Sequence, residues 1–166
     1  NDEISATRGS GKAASGPFGL WLRTPELADH ANQLGTYLRH ETSVPQRLVE
    51  LAVLAIARHW TAQYEWFAHV RYVEKVGLDP AIAEAIRTRK TPDIKLVDEH
   101  AVYALTMELN EHRRVRDATY ANAVEVLGEQ MVLELVTIIG FYTMVAVVLV
   151  SYRVDIPDGG ALPLPE

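Results

Sequence analysis

The chain has 166 residues, 48% of them hydrophobic and 23% charged, with a formal net charge of -6 and no cysteine. That length suits one domain with a sizeable core. An acidic balance without a basic cluster excludes a nucleic-acid partner, and the missing cysteines exclude disulfides and thiolate metal sites.

Residues 1–15 are rich in Gly, Ser and Ala and predict a flexible arm. They hold no apolar signal-peptide core and do not begin with Met, so the expectation is a cytoplasmic protein with a trimmed N-terminus. Arg8-Gly-Ser-Gly-Lys12 has neither the spacing of a phosphate loop nor a strand before it. Thr24-Pro25 predicts a helix start, with the helix running to about Arg39. Ser43-Val-Pro45-Gln46 predicts a second start, with Gln46 placed for a capping box. That helix carries Leu48 to Ile56 with almost no polar face and is expected at the centre of the fold. Thr61 is placed to cap the next helix, which should stop at Gly77. Asp79-Pro80 opens a short helix ending near Arg89, and Thr91-Pro92-Asp93 breaks the chain. A long amphipathic helix then runs to about Arg113, with Leu96, Val97, Val102, Leu105 and Leu109 among its apolar positions. Asp117 caps a helix that ends at Gly128, and an apolar helix follows from about Glu129 to Ser151.

The run Leu135 to Val150 is the one membrane-like segment, but it is 16 residues long and holds Thr137, Gly140 and Thr143. A spanning helix needs about 20 apolar residues. The expectation is a helix buried on all sides, within one subunit or between subunits, and no membrane partner. No segment alternates with period two. The sequence therefore predicts an all-α fold of about seven helices, a single domain over residues 16–154, and a Pro/Gly-rich extended tail over 155–166 lying on a surface or a neighbour.

Chemistry concentrates between Arg47 and His69. Two carboxylates (Glu50, Glu65) and two imidazoles (His59, His69) punctuate an apolar, aromatic run. Glu65 and His69 are four apart and share a helix face. As a surface ion pair they would contribute only about 0.2–0.5 kcal/mol. Their neighbours Trp60, Tyr64, Trp66, Phe67 and Tyr72 argue instead for a buried setting, where such groups are paired or used. Glu50 has structural partners to hand in Arg47 and Arg58; as a functional group it would sit behind His69 and keep the imidazole oriented. His30, His40, His100 and His112 lie on faces expected to be solvated. A Glu/His metal site is the competing chemistry, but Glu-x-x-x-His is a weak ligand pattern and no His-Glu-x-x-His is present.

This region resembles the carboxymuconolactone decarboxylase family, which includes thiol peroxidases of the alkylhydroperoxidase D (AhpD) type. In the peroxidase branch a glutamate is followed twelve residues on by Cys-x-His-Cys-x-x-x-His. Set on Glu50, that frame puts Ala62 and Glu65 at the two cysteines, Tyr64 at the inner histidine and His69 at the final one. The similarity runs from Gly16-Pro17-Phe18 to the tail, through Arg58-His59-Trp60 and Tyr64-Glu65-Trp66. It implies antiparallel helical hairpins and a homo-oligomer built from dimers, trimeric or hexameric. A dithiol peroxidase needs one thiolate to attack peroxide and a second thiol to resolve the sulfenic acid. With no cysteine in the chain, that activity is excluded.

The expected function is a cofactor-free, metal-free acid/base enzyme resembling carboxymuconolactone decarboxylase, a carboxy-lyase or an isomerase or hydratase. Its substrate would be a small cyclic carboxylate, lactone or related carbonyl compound. His69 would deliver the proton, Glu65 tune or relay it, Glu50 support His69, and Tyr64 bind the developing oxyanion. Trp60, Trp66 and His59 would help bind the ring. The alternatives are a non-catalytic helical oligomer that kept the fold, and a metal-dependent enzyme using Glu/His ligands.

Overall fold

The computed structural model describes residues 16–166; the expected arm over 1–15 lies outside them. Eight α-helices and no strand occur among the described residues: α1 (Pro17–Trp21), α2 (Pro25–His40), α3 (Gln46–Trp60), α4 (Gln63–Val70), α5 (Pro80–Arg87), α6 (Val97–His112), α7 (Asp117–Leu127) and α8 (Glu129–Ser151). The all-α reading holds, with α1 as the helix not anticipated.

Helix α3 is the axis of the fold. Every residue from Leu48 to Arg58 is buried, and α4, α5, α6 and α8 all pack on it. Such a helix needs no amphipathic stripe because neighbours cover every face. At its entrance Arg47 bonds Asp98, at 2.6 Å, and Glu99 on α6. The expected capping box does not form. Pro45 is the N-cap, Ser43 spends its N–H and hydroxyl on Glu134 of α8 (2.8 and 2.6 Å), and the Gln46 amide donates to the Arg39 carbonyl.

Thr61 likewise does not cap α4. It sits in the left-handed region (φ 51°), its N–H bonding Arg58 O (3.2 Å) while Ala62 N–H bonds Ala57 O (2.8 Å). Those two bonds make a Schellman motif that closes α3 and reverses the chain. The reversal lays α4 against α3 as a tight hairpin and returns Glu65 and His69 towards Glu50. Helix α4 is shorter than expected: regular helix stops at Val70, and turns carry the chain to Gly77 (φ 78°). On α6, Leu96 and Val97 prove exposed, because the helix begins only at Val97 and its first turn overhangs the core. Asp117 is the first residue of α7 and Arg116 its N-cap.

Among the described residues, helix α8 is the one helix long and apolar enough to cross a membrane by length and composition, and 50% of its most apolar window is buried within the chain. Leu135, Ile138, Tyr142, Val145 and Leu149 face the core, whereas Leu133, Val136, Met144, Val147 and Val150 are exposed. Within a single chain it is therefore covered on one side, not on all.

The tail turns through a short 3₁₀ segment (Pro157–Gly159) and docks back on its own chain. The Gln63 amide clasps Leu164 twice: Nε2 donates to Leu164 O, and Leu164 N donates to Oε1, both at 2.9 Å. Leu164 itself is buried.

Candidate functional site

A cavity of about 290 Å³ opens between α1, α2, α4 and α8. Aromatic and aliphatic side chains wall it, Phe18 and Trp21 from α1 and Phe141, Val145 and Leu149 from α8; Arg39, Tyr64, Glu65, His69 and Tyr142 supply its polar groups. A mostly apolar hollow with a few converging polar groups is the usual form of a small-molecule site.

His69 is the hub. The residue is 5% exposed, and its ring sits between two partners, Glu50 Oε2 at 2.7 Å from Nδ1 and Arg39 Nη2 at 3.2 Å from Nε2. A guanidinium can only donate, so Nε2 is the bare nitrogen and the proton resides on Nδ1, donated to Glu50. Glu50, from the buried face of α3, thus lies behind the imidazole and off the cavity wall. Neither Arg47 nor Arg58 is its partner. The Tyr142 ring stands edge-on to the imidazole, 5.2 Å between centroids at 90°. Burial pushes its phenol above the ordinary tyrosine range, with the nearby Arg39 guanidinium offsetting part of the effect.

Glu65 is the anomaly. It is 1% exposed, and neither carboxyl oxygen has a hydrogen-bond partner among the described residues. The i,i+4 ion pair with His69 does not exist, because His69 has turned to Glu50. Desolvation holds the Glu65 pKa well above the usual carboxylate range, which favours the neutral acid. Leaving such a group unsatisfied costs about 1–3 kcal/mol. Glu65 lines the cavity with both oxygens shielded and unpartnered, so a ligand that reached them would meet a free acid donor.

Two glycines make room. Gly16 has φ 85°, and a Cβ there would lie 2.7 Å from the Tyr64 hydroxyl; the tyrosine at the inner-histidine position lies against bare backbone. Gly35, inside α2, would bring a Cβ to 2.8 Å from Phe141 Cζ. Replacing a helical glycine with alanine ordinarily stabilises by about 0.5–1 kcal/mol. Here Gly35→Ala is expected to destabilise instead, by about 1–3 kcal/mol, because it drives into the ring that walls the cavity. Chemical denaturation of the two proteins checks the sign.

The structure brings Glu65, His69 and Tyr64 to one cavity with Glu50 behind them. It does not bring the residues expected to bind the ring. Trp66 is buried beside Val70, Val73 and Ala83, at a separate hollow, since successive residues on a helix point about 100° apart. Trp60 is 39% exposed, and His59 lines a different cavity. The walls come instead from Phe18, Trp21, Phe141 and Tyr142, and the cation from Arg39, none anticipated as site residues. His40, read as an ordinary surface histidine, lies at the rim. Among the described residues no three His, Asp or Glu side chains are placed to share a metal ion.

The sequence matches no family model and no curated protein. Its fold does match. A solved protein of unknown function from Agrobacterium tumefaciens, suggested to be an antioxidant defence protein of the AhpD type, superposes with a TM-score of 0.74. The match covers 82% of this chain and 94% of that one at 14% identity. The fold is AhpD-like.

At that identity the likeness is one of fold, and the chemistry has to be read from this chain. At the two positions where the resemblance expects sulfur this chain has Ala62 and Glu65, a methyl group and a carboxyl. Incubation with an organic hydroperoxide and a dithiol reductant is expected to give no turnover above a heat-killed control. Turnover well above it would contradict the exclusion.

Proposed function

We infer that the chain is a cofactor-free acid/base enzyme acting on a small cyclic carboxylate, lactone or related carbonyl compound. The observation that carries this reading is the pairing of opposites on one cavity. A neutral imidazole backed by Glu50 offers a lone pair at Nε2, and a desolvated carboxyl at Glu65 offers a proton. A proton acceptor and a proton donor facing one cavity suit base and acid roles. In this reading the roles run the other way round from those expected from the sequence, with His69 as base and Glu65 as acid.

In the isomerising form, His69 Nε2 takes a proton from the carbon beside the carbonyl, and the electron pair moves onto the carbonyl oxygen as an enolate. Tyr64 or Tyr142 donates a hydrogen bond to that oxygen. Glu65 returns a proton to the far carbon of the conjugated system and is reprotonated in turn from His69 or water. In the decarboxylating form, loss of carbon dioxide supplies the electron pair and Glu65 alone protonates carbon. Arg39 anchors the substrate carboxylate, which draws the guanidinium off Nε2 and frees the base. A neutral Glu65 also removes the repulsion that an ionised one would exert on that carboxylate.

A purely structural role for these residues leaves the cost of burying Glu65 unexplained. The test is exchange in deuterium oxide. Unsaturated lactone acids and cyclic keto acids are incubated with the protein, and deuterium at the carbon beside the carbonyl, or release of carbon dioxide, is followed by NMR. Enzyme-dependent exchange or decarboxylation is the expected result. None above buffer across the panel would sink the reading.

The same reading includes a homo-oligomer. The exposed apolar row on α8 lies at the helical spacing of a packing face and suits a second copy. Light scattering is expected to exceed the mass of one 18.5 kDa chain.

A further inference from the structure

A second cavity, of about 230 Å³, lies where the end of α3 meets the end of α5 and the middle of α6. It shares no lining residue with the acid/base cavity. Its polar groups are Arg58, His59, Arg89, Lys90, Tyr103 and Glu111. Arg58 is only 4% exposed, yet among the described residues it forms no ion pair and its Nε has no partner. Its Nη1 donates to the Thr61 hydroxyl at 3.2 Å. Arg89 reaches the same hydroxyl at 3.4 Å. Thr61, held left-handed at the corner after α3, thus gathers two guanidiniums with no anion between them.

A buried guanidinium ordinarily has a carboxylate beside it, because an unpaired charge out of water is expensive. Two local charges offset the excess in part. The negative end of α3 is worth about half a charge, and Glu111 contributes one across the cavity. Three fixed cations, Arg58, Arg89 and Lys90, outweigh them. Burial, with Arg89 and Arg87 nearby, depresses the Arg58 pKa, and burial together with Arg89 and Arg113 depresses His59 against the pull of Glu111. Burial is the largest cause of both shifts, and the neighbouring arginines lower both further.

We propose that this cavity is a second binding site, which takes the phosphate group of a small organic phosphate ester against Arg58, Arg89 and Lys90. Arg58 lines the cavity while its Nε is shielded and unpartnered, and a guanidinium matches two phosphate oxygens through paired N–H donors. Lys90 adds a point charge and Thr91 a hydroxyl at the same wall. Ala55 and Met107 provide apolar surface for the organic part, and Glu111 accepts from its hydroxyls.

The experiment is a thermal-shift titration of the whole chain at constant ionic strength, using inorganic phosphate, glycerol 3-phosphate and succinate as probes. Wild type is expected to respond saturably to both phosphates and not to succinate. A stronger response to the ester than to inorganic phosphate shows that the organic part is held as well; equal responses show that the phosphate alone is held. Arg58→Gln is expected to abolish the response. Should that variant fold poorly, exposed Lys90→Gln carries the test, with the half-saturating concentration expected to rise about tenfold. The proposal is overturned if wild type shows no saturable response, if Lys90→Gln titrates like wild type, or if succinate does as well as phosphate. Because the site stands apart from His69 and Glu65, none of these outcomes bears on the acid/base reading.

Discussion

Replacing His69 with Gln is expected to cut turnover by about 10²–10⁴-fold, the usual loss when a positioned base is removed. Gln keeps an N–H donor for Glu50 and an acceptor for Arg39, so the fold should survive. His69→Ala removes both and strands the Glu50 carboxylate in the core, a change that typically costs about 3–5 kcal/mol. The pair of variants therefore separates chemistry from stability. Deuterium exchange into the substrate and the thermal midpoint are measured for each. A Gln variant that exchanges at the wild-type rate would remove His69 from the mechanism, whatever the Ala variant does to the fold.

Glu65→Met is expected to do the opposite to stability, raising it by about 1–3 kcal/mol, while abolishing turnover. Methionine fills similar volume and ends the cost of an unpartnered carboxyl. The pH dependence gives an independent check. A carboxyl whose native pKa is raised keeps its proton in the folded state over a range where the unfolded chain has released it. Stability then falls as pH rises from the ordinary value of 4.5 through the native pKa, and levels off above it. Glu65→Gln, which does not titrate, should flatten that decline. Denaturant midpoints across this range read it directly. A decline identical in wild type and Glu65→Gln would show that another group causes it.

The helices and the inner half of the site were legible because their signals are local. Glu65 and His69 sit one turn apart, and a helical hairpin is enough to return them to Glu50. The apolar run around Leu135 was likewise read correctly as helix, although its exposed row could not be foreseen from composition. Arg39 and Tyr142 gave no such signal. Arg39 reads as a basic residue in the last turn of a helix, and Tyr142 as one more core aromatic in an apolar run; only tertiary packing brings them to His69. Trp66 is a different failure, since its place beside Glu65 in sequence already turns it to another helix face. The caps misread at Ser43, Gln46 and Thr61 share one cause. Each falls to a contact other than the expected cap: Ser43 bonds Glu134, Gln46 bonds the Arg39 carbonyl, and Thr61 closes α3 with its hydroxyl accepting from Arg58 and Arg89.

The clasp between Gln63 and Leu164 carries a consequence for the order of folding. Its two hydrogen bonds close a loop of 101 residues, and the entropy of closing so long a loop has to be met before the contact gives anything back. The tail should therefore dock after the helical hairpins have formed, with little of the contact present at the rate-limiting barrier. Weakening it, as in Gln63→Ala, should leave the refolding limb of the chevron where it is and raise the unfolding limb without changing its slope. The last few residues would then set how long the folded chain persists, and the hairpins how quickly it arises.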